Sequence, residues 1–184
     1  METLNTLPTK PILIFAYGNL SRGDDALGPL LLEHIESHCS LEQIELLTDF
    51  QLQVEHALDL ENRELVLFVD ASMACIDGFA FERLMPAKDK SYTTHAMSPA
   101  SVLAVYQSIH KQAPPASFLL SIKGEAFELG ATLSQAATQN LTEACHFAER
   151  LLINPSLHFW EQLLSPSSAM IPNSSDVTRS IQHA

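Results

Sequence analysis

Hydrophobic and polar positions alternate along this chain between short, dense apolar runs and longer stretches with helical spacing. Pro11 to Tyr17 (PILIFAY) is almost continuously apolar, as expected of a strand covered on both faces. Beyond Asp24-Asp25, apolar residues recur at Leu27, Leu30, Leu31 and Ile35, which is the period of a helix. Gln43 to Thr48 reads as a second strand and Val54 to Leu60 as a short helix with Val54, Ala57 and Leu58 on one face. Leu65 to Val69 (LVLFV) is the strongest strand signal, and it ends at Asp70. Gly78 to Leu84 alternates, predicting an antiparallel edge strand. Pro99 opens a helix to about Gln112, a favourable first-turn place for proline. Phe118 to Ile122 is a further strand, and Ser134 caps a helix to about Leu152.

The order β-α-β-α-β with short connections predicts an α/β domain around a parallel sheet with right-handed crossovers. Residues 9–164 form its single body. From residue 165 onward the chain is rich in Ser and Pro and is expected to be a disordered tail. No repeat or linker divides the body.

With 46% hydrophobic and 17% charged residues, the 184-residue chain has a globular composition. Its formal charge of −12 argues against nucleic acid or an anionic membrane as partner. Cys39, Cys75 and Cys145 are odd in number and form no CxxC pair, so neither a disulfide framework nor a structural zinc site is expected. They read as small core hydrophobes. The first residues lack the apolar run of a signal peptide, and no segment reaches the ~18–20 apolar residues of a membrane span. A cytoplasmic protein is expected.

Ligands of open parallel sheets bind beyond the carboxyl ends of the strands. That rule singles out Asn19, Asp24 and Asp25 after the first strand, Asp49 and Gln51 after the second, Asp70 after the third, and His95 in the loop before the Pro99 helix. Close carboxylates repel unless one is protonated or a cation lies between them. One imidazole with two carboxylates suits nickel, zinc, manganese or iron, and three protein ligands leave positions open for water or substrate. On their own, Asp24 and Asp25 read as helix-start acids. Asp70, at the tip of a very apolar strand, needs a partner, and His95 reads equally as a ligand or a satisfied loop histidine. The remaining histidines read as surface or structural groups. Gly18 to Asp25 lacks the spacing of a dinucleotide loop and the Gly-Lys-Ser/Thr ending of a P-loop, which disfavours a nucleotide site.

Gly18-Asn19-Leu20-Ser21-Arg22-Gly23-Asp24-Asp25-Ala26-Leu27-Gly28 resembles the signature loop of the hydrogenase maturation proteases. Phe68-Val69-Asp70-Ala71 resembles their third-strand motif, and Thr93-Thr94-His95-Ala96-Met97-Ser98-Pro99 their histidine loop. Gly124, Phe127-Glu128-Leu129-Gly130 and Leu133-Ser134 are similar to a later segment, so the likeness runs over roughly residues 11–152. It implies a three-layer α/β/α fold with a twisted, mostly parallel five-stranded sheet flanked by helices. It also implies a peptidase that removes the C-terminal extension of a nickel-iron hydrogenase large-subunit precursor after nickel insertion. Asp25, Asp70 and His95 carry over as metal-contacting residues, with Asp25 and Asp70 as catalytic carboxylates of either metallo- or aspartic-type chemistry. Nickel would come with the precursor, with no organic cofactor, and a monomer would act on one precursor at a time.

The loop after the second strand departs from the family's frequent double glycine and reads Asp49-Phe50-Gln51-Leu52-Gln53-Val54-Glu55. This resembles the branch serving NAD-linked multisubunit hydrogenases. Asn19, Gln51 and Glu55 are the expected substrate-binding residues. A non-catalytic nickel-binding chaperone on the same fold is the alternative, and an inactive homologue is a third reading.

Overall fold

The computed structural model describes residues 9–88 and 97–164. Its elements in chain order are β1 (Ile12–Tyr17), α1 (Leu27–His38), β2 (Ile44–Asp49), β3 (Leu65–Ser72), β4 (Phe79–Leu84), α2 (Pro99–His110), β5 (Ala116–Lys123), α3 (Gln135–Ile153) and α4 (Leu157–Gln162). Two 3-10 segments, Gly23–Ala26 and Val54–Leu60, lie before α1 and after β2.

The five strands make one sheet in the order β2-β1-β3-β5-β4. β1 pairs in parallel with β2 and β3, β3 pairs in parallel with β5, and β4 runs antiparallel along β5 at the edge. The expected mostly parallel sheet and its antiparallel edge strand are thus both present. The alternating side chains of the strands divide the interior into two clusters. Ile12, Ile14, Ala16, Leu67 and Val69 pack with α1 and α3, whereas Leu13, Phe15, Val66 and Phe68 pack with α2 and the Val54–Leu60 segment. Among the described residues, no helix is long and apolar enough to cross a membrane.

Three elements differ from the sequence expectation. β3 does not end at Asp70 but runs to Ser72, because β5 supplies register partners as far as Ser72↔Lys123. The apolar run stops earlier than the ladder. Val54–Leu60 is the expected short helix, of 3-10 type, but it buries His56, Ala57 and Leu60 and leaves Val54 and Leu58 exposed. Its first turn is pinned by His56, whose Nδ1 accepts the Gln53 N–H at 2.9 Å. The third, α4, was not anticipated. Ser156 caps it, and it drives Trp160 into the core, where the indole donates to the Leu151 carbonyl at 3.0 Å. Cys145 is buried as expected, but Cys39 and Cys75 are only half-buried. The segment beyond residue 164 lies outside the described residues.

Candidate functional site

β1 leads its apolar side chains up to Tyr17, and the chain then turns at Gly18 with φ +144°. A side chain there would collide with the carbonyl oxygen of Asp25, so the turn folds the loop back onto its own far end. Asn19 N–H donates to Asp25 Oδ2 at 2.9 Å, and Asn19 Oδ1 accepts from Ser21 N–H at 2.8 Å. Helix α1 then starts hard against the strand ends. A Cβ on Gly28 would lie 3.0 Å from the Tyr17 carbonyl oxygen and 3.1 Å from that of Val69. This close approach holds Asp25 above the carboxyl end of the sheet, beside β3.

Asp70 lies on the same face of the sheet as Phe68 and Phe15, with Tyr17 on neighbouring β1. The Tyr17 hydroxyl donates to the Asp70 carboxylate. Burial pushes the Asp70 carboxyl up to about 6. The Tyr17 hydroxyl and the Ala71 N–H hold it down in part, and the nearby Asp25 charge adds to the rise. Tyr17 is in turn raised well above its ordinary value of 10.0, first by burial and then by the Asp70 charge. The charge of Asp25 therefore reaches the buried Asp70 carboxyl, beside which Tyr17 stands.

The neighbouring acids serve other purposes. Asp24 is 0% exposed, and it is neither a helix cap nor a rim ligand. Its carboxylate accepts from Glu125 N–H at 2.7 Å, Ala126 N–H at 3.0 Å, Ser134 N–H at 2.7 Å and Ser134 Oγ at 2.9 Å. Although burial acts to raise it, these bonds prevail and its pKa is lowered. Asp24 thus lashes residues 124–134 to the β1 loop, helped by Asp24 N–H on Ala126 O and Gly130 N–H on Ser21 O, each at 2.7 Å. Gly124 permits this. A Cβ there would lie 2.8 Å from that of Asp24.

Asp49 turns towards His56 Nε2 at 3.3 Å and caps the Phe50 N–H at 2.6 Å. His56 is buried edge-on to Phe15, with ring centroids 4.7 Å apart. This pair braces the loop after β2. Of the expected substrate-binding residues, Asn19 stands beside Asp25, Gln51 is half-buried, and Glu55 is exposed on the first turn after Gln53.

His95 lies outside the described residues. Among those described, no group of three His, Cys, Asp or Glu side chains is arranged to hold a metal ion. Of the expected site residues, Asp25 lies near enough for its charge to act on Asp70. Tyr17 escaped the sequence reading, although a hydroxyl closing an otherwise apolar strand was the available sign. A buried carboxyl whose pKa is pushed up to about 6 can exchange protons with water or a leaving amine. As a carboxylate, it can also meet a cation.

No protein-family model and no curated protein sequence matches the chain. Solved structures do. The hydrogenase maturating endopeptidase HybD from E. coli superposes with a TM-score of 0.62 at 20% identity, covering 79% of this chain and 93% of that one. The NiFe hydrogenase maturation protease HycI from Thermococcus kodakarensis gives 0.60 at 20% identity, over 79% and 94%. A hydrogenase 2 maturation peptidase from a Thaumarchaeota archaeon gives 0.55 at 17% identity, over 78% and 98%. The fold of this chain is the fold of these maturation proteases.

Proposed function

We propose that this chain is an endopeptidase that removes the C-terminal extension of a nickel-iron hydrogenase large-subunit precursor once nickel is in place. The observation that carries this reading is the buried Asp70 under the charge of Asp25 at the carboxyl end of the sheet, on a fold shared with proteins named hydrogenase maturation protease and hydrogenase maturating endopeptidase. Nickel is the substrate's cargo here. Asp25, Asp70 and His95 would contact it and so recognise a precursor ready to be cut. Asp70, able to gain and lose a proton near neutral pH, is suited to take one from the attacking water or give one to the departing amine. Its hydrogen bond to Tyr17 fixes the carboxyl's direction. The reading carries with it a cytoplasmic monomer that handles one precursor at a time.

The test offers purified protein nickel-loaded and nickel-free precursor and follows the large subunit by mass spectrometry. Shortening of the loaded form alone is expected. Equal cleavage of both forms would remove nickel recognition from the reading. An uncut loaded precursor would overturn the peptidase itself in favour of a nickel-binding chaperone.

A further inference from the structure

β2 closes one side of the sheet, and half of its backbone polar groups face away from β1. Its orientation follows from two bonds at its ends. Ile12 N–H donates to Gln43 O at 3.1 Å, and Gly18 N–H donates to Asp49 O at 3.0 Å. In a parallel ladder alternate residues turn both their N–H and C=O to the same neighbour. The odd-numbered residues of β2 therefore face β1, and Ile44, Leu46 and Thr48 face outward. Ile44 is answered locally. Its N–H donates to Leu41 O at 3.3 Å, and its carbonyl accepts the Lys10 ammonium at 3.1 Å. Among the described residues, nothing answers the outward groups of Leu46 and Thr48.

These two residues lie in a groove of about 760 Å³ between β2, α1 and the β1 loop. Its apolar lining includes Leu32, Leu46 and Phe50, with Glu33 and Glu36 on the α1 side. Among the described residues, no Lys or Arg lines it. One end opens at Gly18–Ser21, where Asn19 N–H meets the Asp25 carboxylate.

We propose that this groove binds an extended segment of the peptide substrate as a sixth strand on β2, favouring an apolar side chain flanked by Lys or Arg. The proposal rests on the peptidase reading and adds how the substrate is gripped. Two outward N–H groups and two outward carbonyls offer up to four main-chain hydrogen bonds to an added strand. Side chains of such a strand alternate between faces. Those turned towards α1 meet Leu32 and Leu46, then the carboxylates of Glu33 and Glu36. A Lys or Arg matches that sequence of surfaces, its stem lying on leucine and its charge reaching the acids. A strand held there is led directly to the loop that positions Asp25.

The experiment uses the full chain, a fluorescein-labelled synthetic peptide copying the precursor segment that spans the cut, and the nickel-loaded precursor. Thr48→Pro deletes one outward N–H while leaving the β1 ladder intact. Glu33→Lys combined with Glu36→Lys reverses charge on an exposed helix face and does not depend on a proline being accommodated. By anisotropy, Thr48→Pro is expected to weaken peptide binding about fivefold, the effect of one lost hydrogen bond, with the loss in kcat/KM carried by KM. The charge reversal is expected to weaken binding and abolish its salt dependence.

Unchanged binding and KM in both variants of an active enzyme would overturn the groove and leave the peptidase standing. A wild-type protein that binds peptide in a Thr48-dependent way yet cuts nothing would do the reverse. If Thr48→Pro instead dissolves a dimer in ultracentrifugation and leaves peptide binding untouched, the edge pairs with a second copy and the proposal falls.

Discussion

At the residue scale the adjacent acids of the β1 loop have separate surroundings: donors from residues 125–134 enclose Asp24, while the charge of Asp25 acts on Asp70. Asp24 is ionised and saturated with donors. Its lowered pKa means that its stabilisation is present above the unfolded value and is lost as pH falls through the folded one. Asp70 is raised to about 6, so the native state holds its proton more tightly than the unfolded chain. Folding is then favoured below the unfolded value and loses stability as pH rises through 6. Asp24→Asn is therefore expected to cost about 3 kcal/mol at neutral pH, with the deficit shrinking as pH falls below the ordinary carboxyl value of 3.8. Asp70→Asn is expected to gain about 1–2 kcal/mol at pH 8, with the gain shrinking towards about pH 4, while precursor cleavage is lost. Urea denaturation across this range, alongside a cleavage assay, reads both. A destabilised Asp70→Asn, or one that cleaves normally, would mark Asp70 as structural. The sequence exposed Asp70 through its strand-end position; residue types alone read Asp24 and Asp25 alike and only the resemblance singled out Asp25, whereas the fold shows that it is Asp24 that meets the distant backbone of residues 125–134.

At the element scale, the strands were legible because burial on both faces leaves an unbroken apolar run, as in PILIFAY and LVLFV. Their ends were less so. The hydrogen-bond ladder of β3 outlasts its hydrophobicity, and the turn at Val54–Leu60 is set by one histidine rather than by a period. α4 has only 6 residues, too few to display helical spacing, and is held by tertiary burial of Trp160. What positions the site is the junction between β1 and α1. Gly28→Ala would press a methyl on the ends of β1 and β3 and push the helix start outward. A loss of about 1–3 kcal/mol is expected, together with a fall in kcat larger than the change in substrate binding. Steady-state kinetics on the precursor and a thermal melt test this. Wild-type kcat in a destabilised protein would show that the junction only supports the fold.

For the whole molecule, a single sheet with an apolar cluster on each face predicts one cooperative unit. Trp160, the one tryptophan of the chain, is a natural reporter. It is buried and packed edge-on to Phe118, with centroids 5.3 Å apart. Its fluorescence and the far-ultraviolet dichroism are expected to change at the same urea concentration. An earlier fluorescence transition would mean that α4 detaches from a sheet that remains folded. The lashing of residues 124–134 by Asp24 also bears on descent. A lineage released from its substrate would keep Asp24, Gly124 and Ser134 for the sake of folding, while Asp25 and Asp70 drifted to residues that bury more comfortably. Retired members of this fold would then be recognisable by the first acid of the pair surviving without the second.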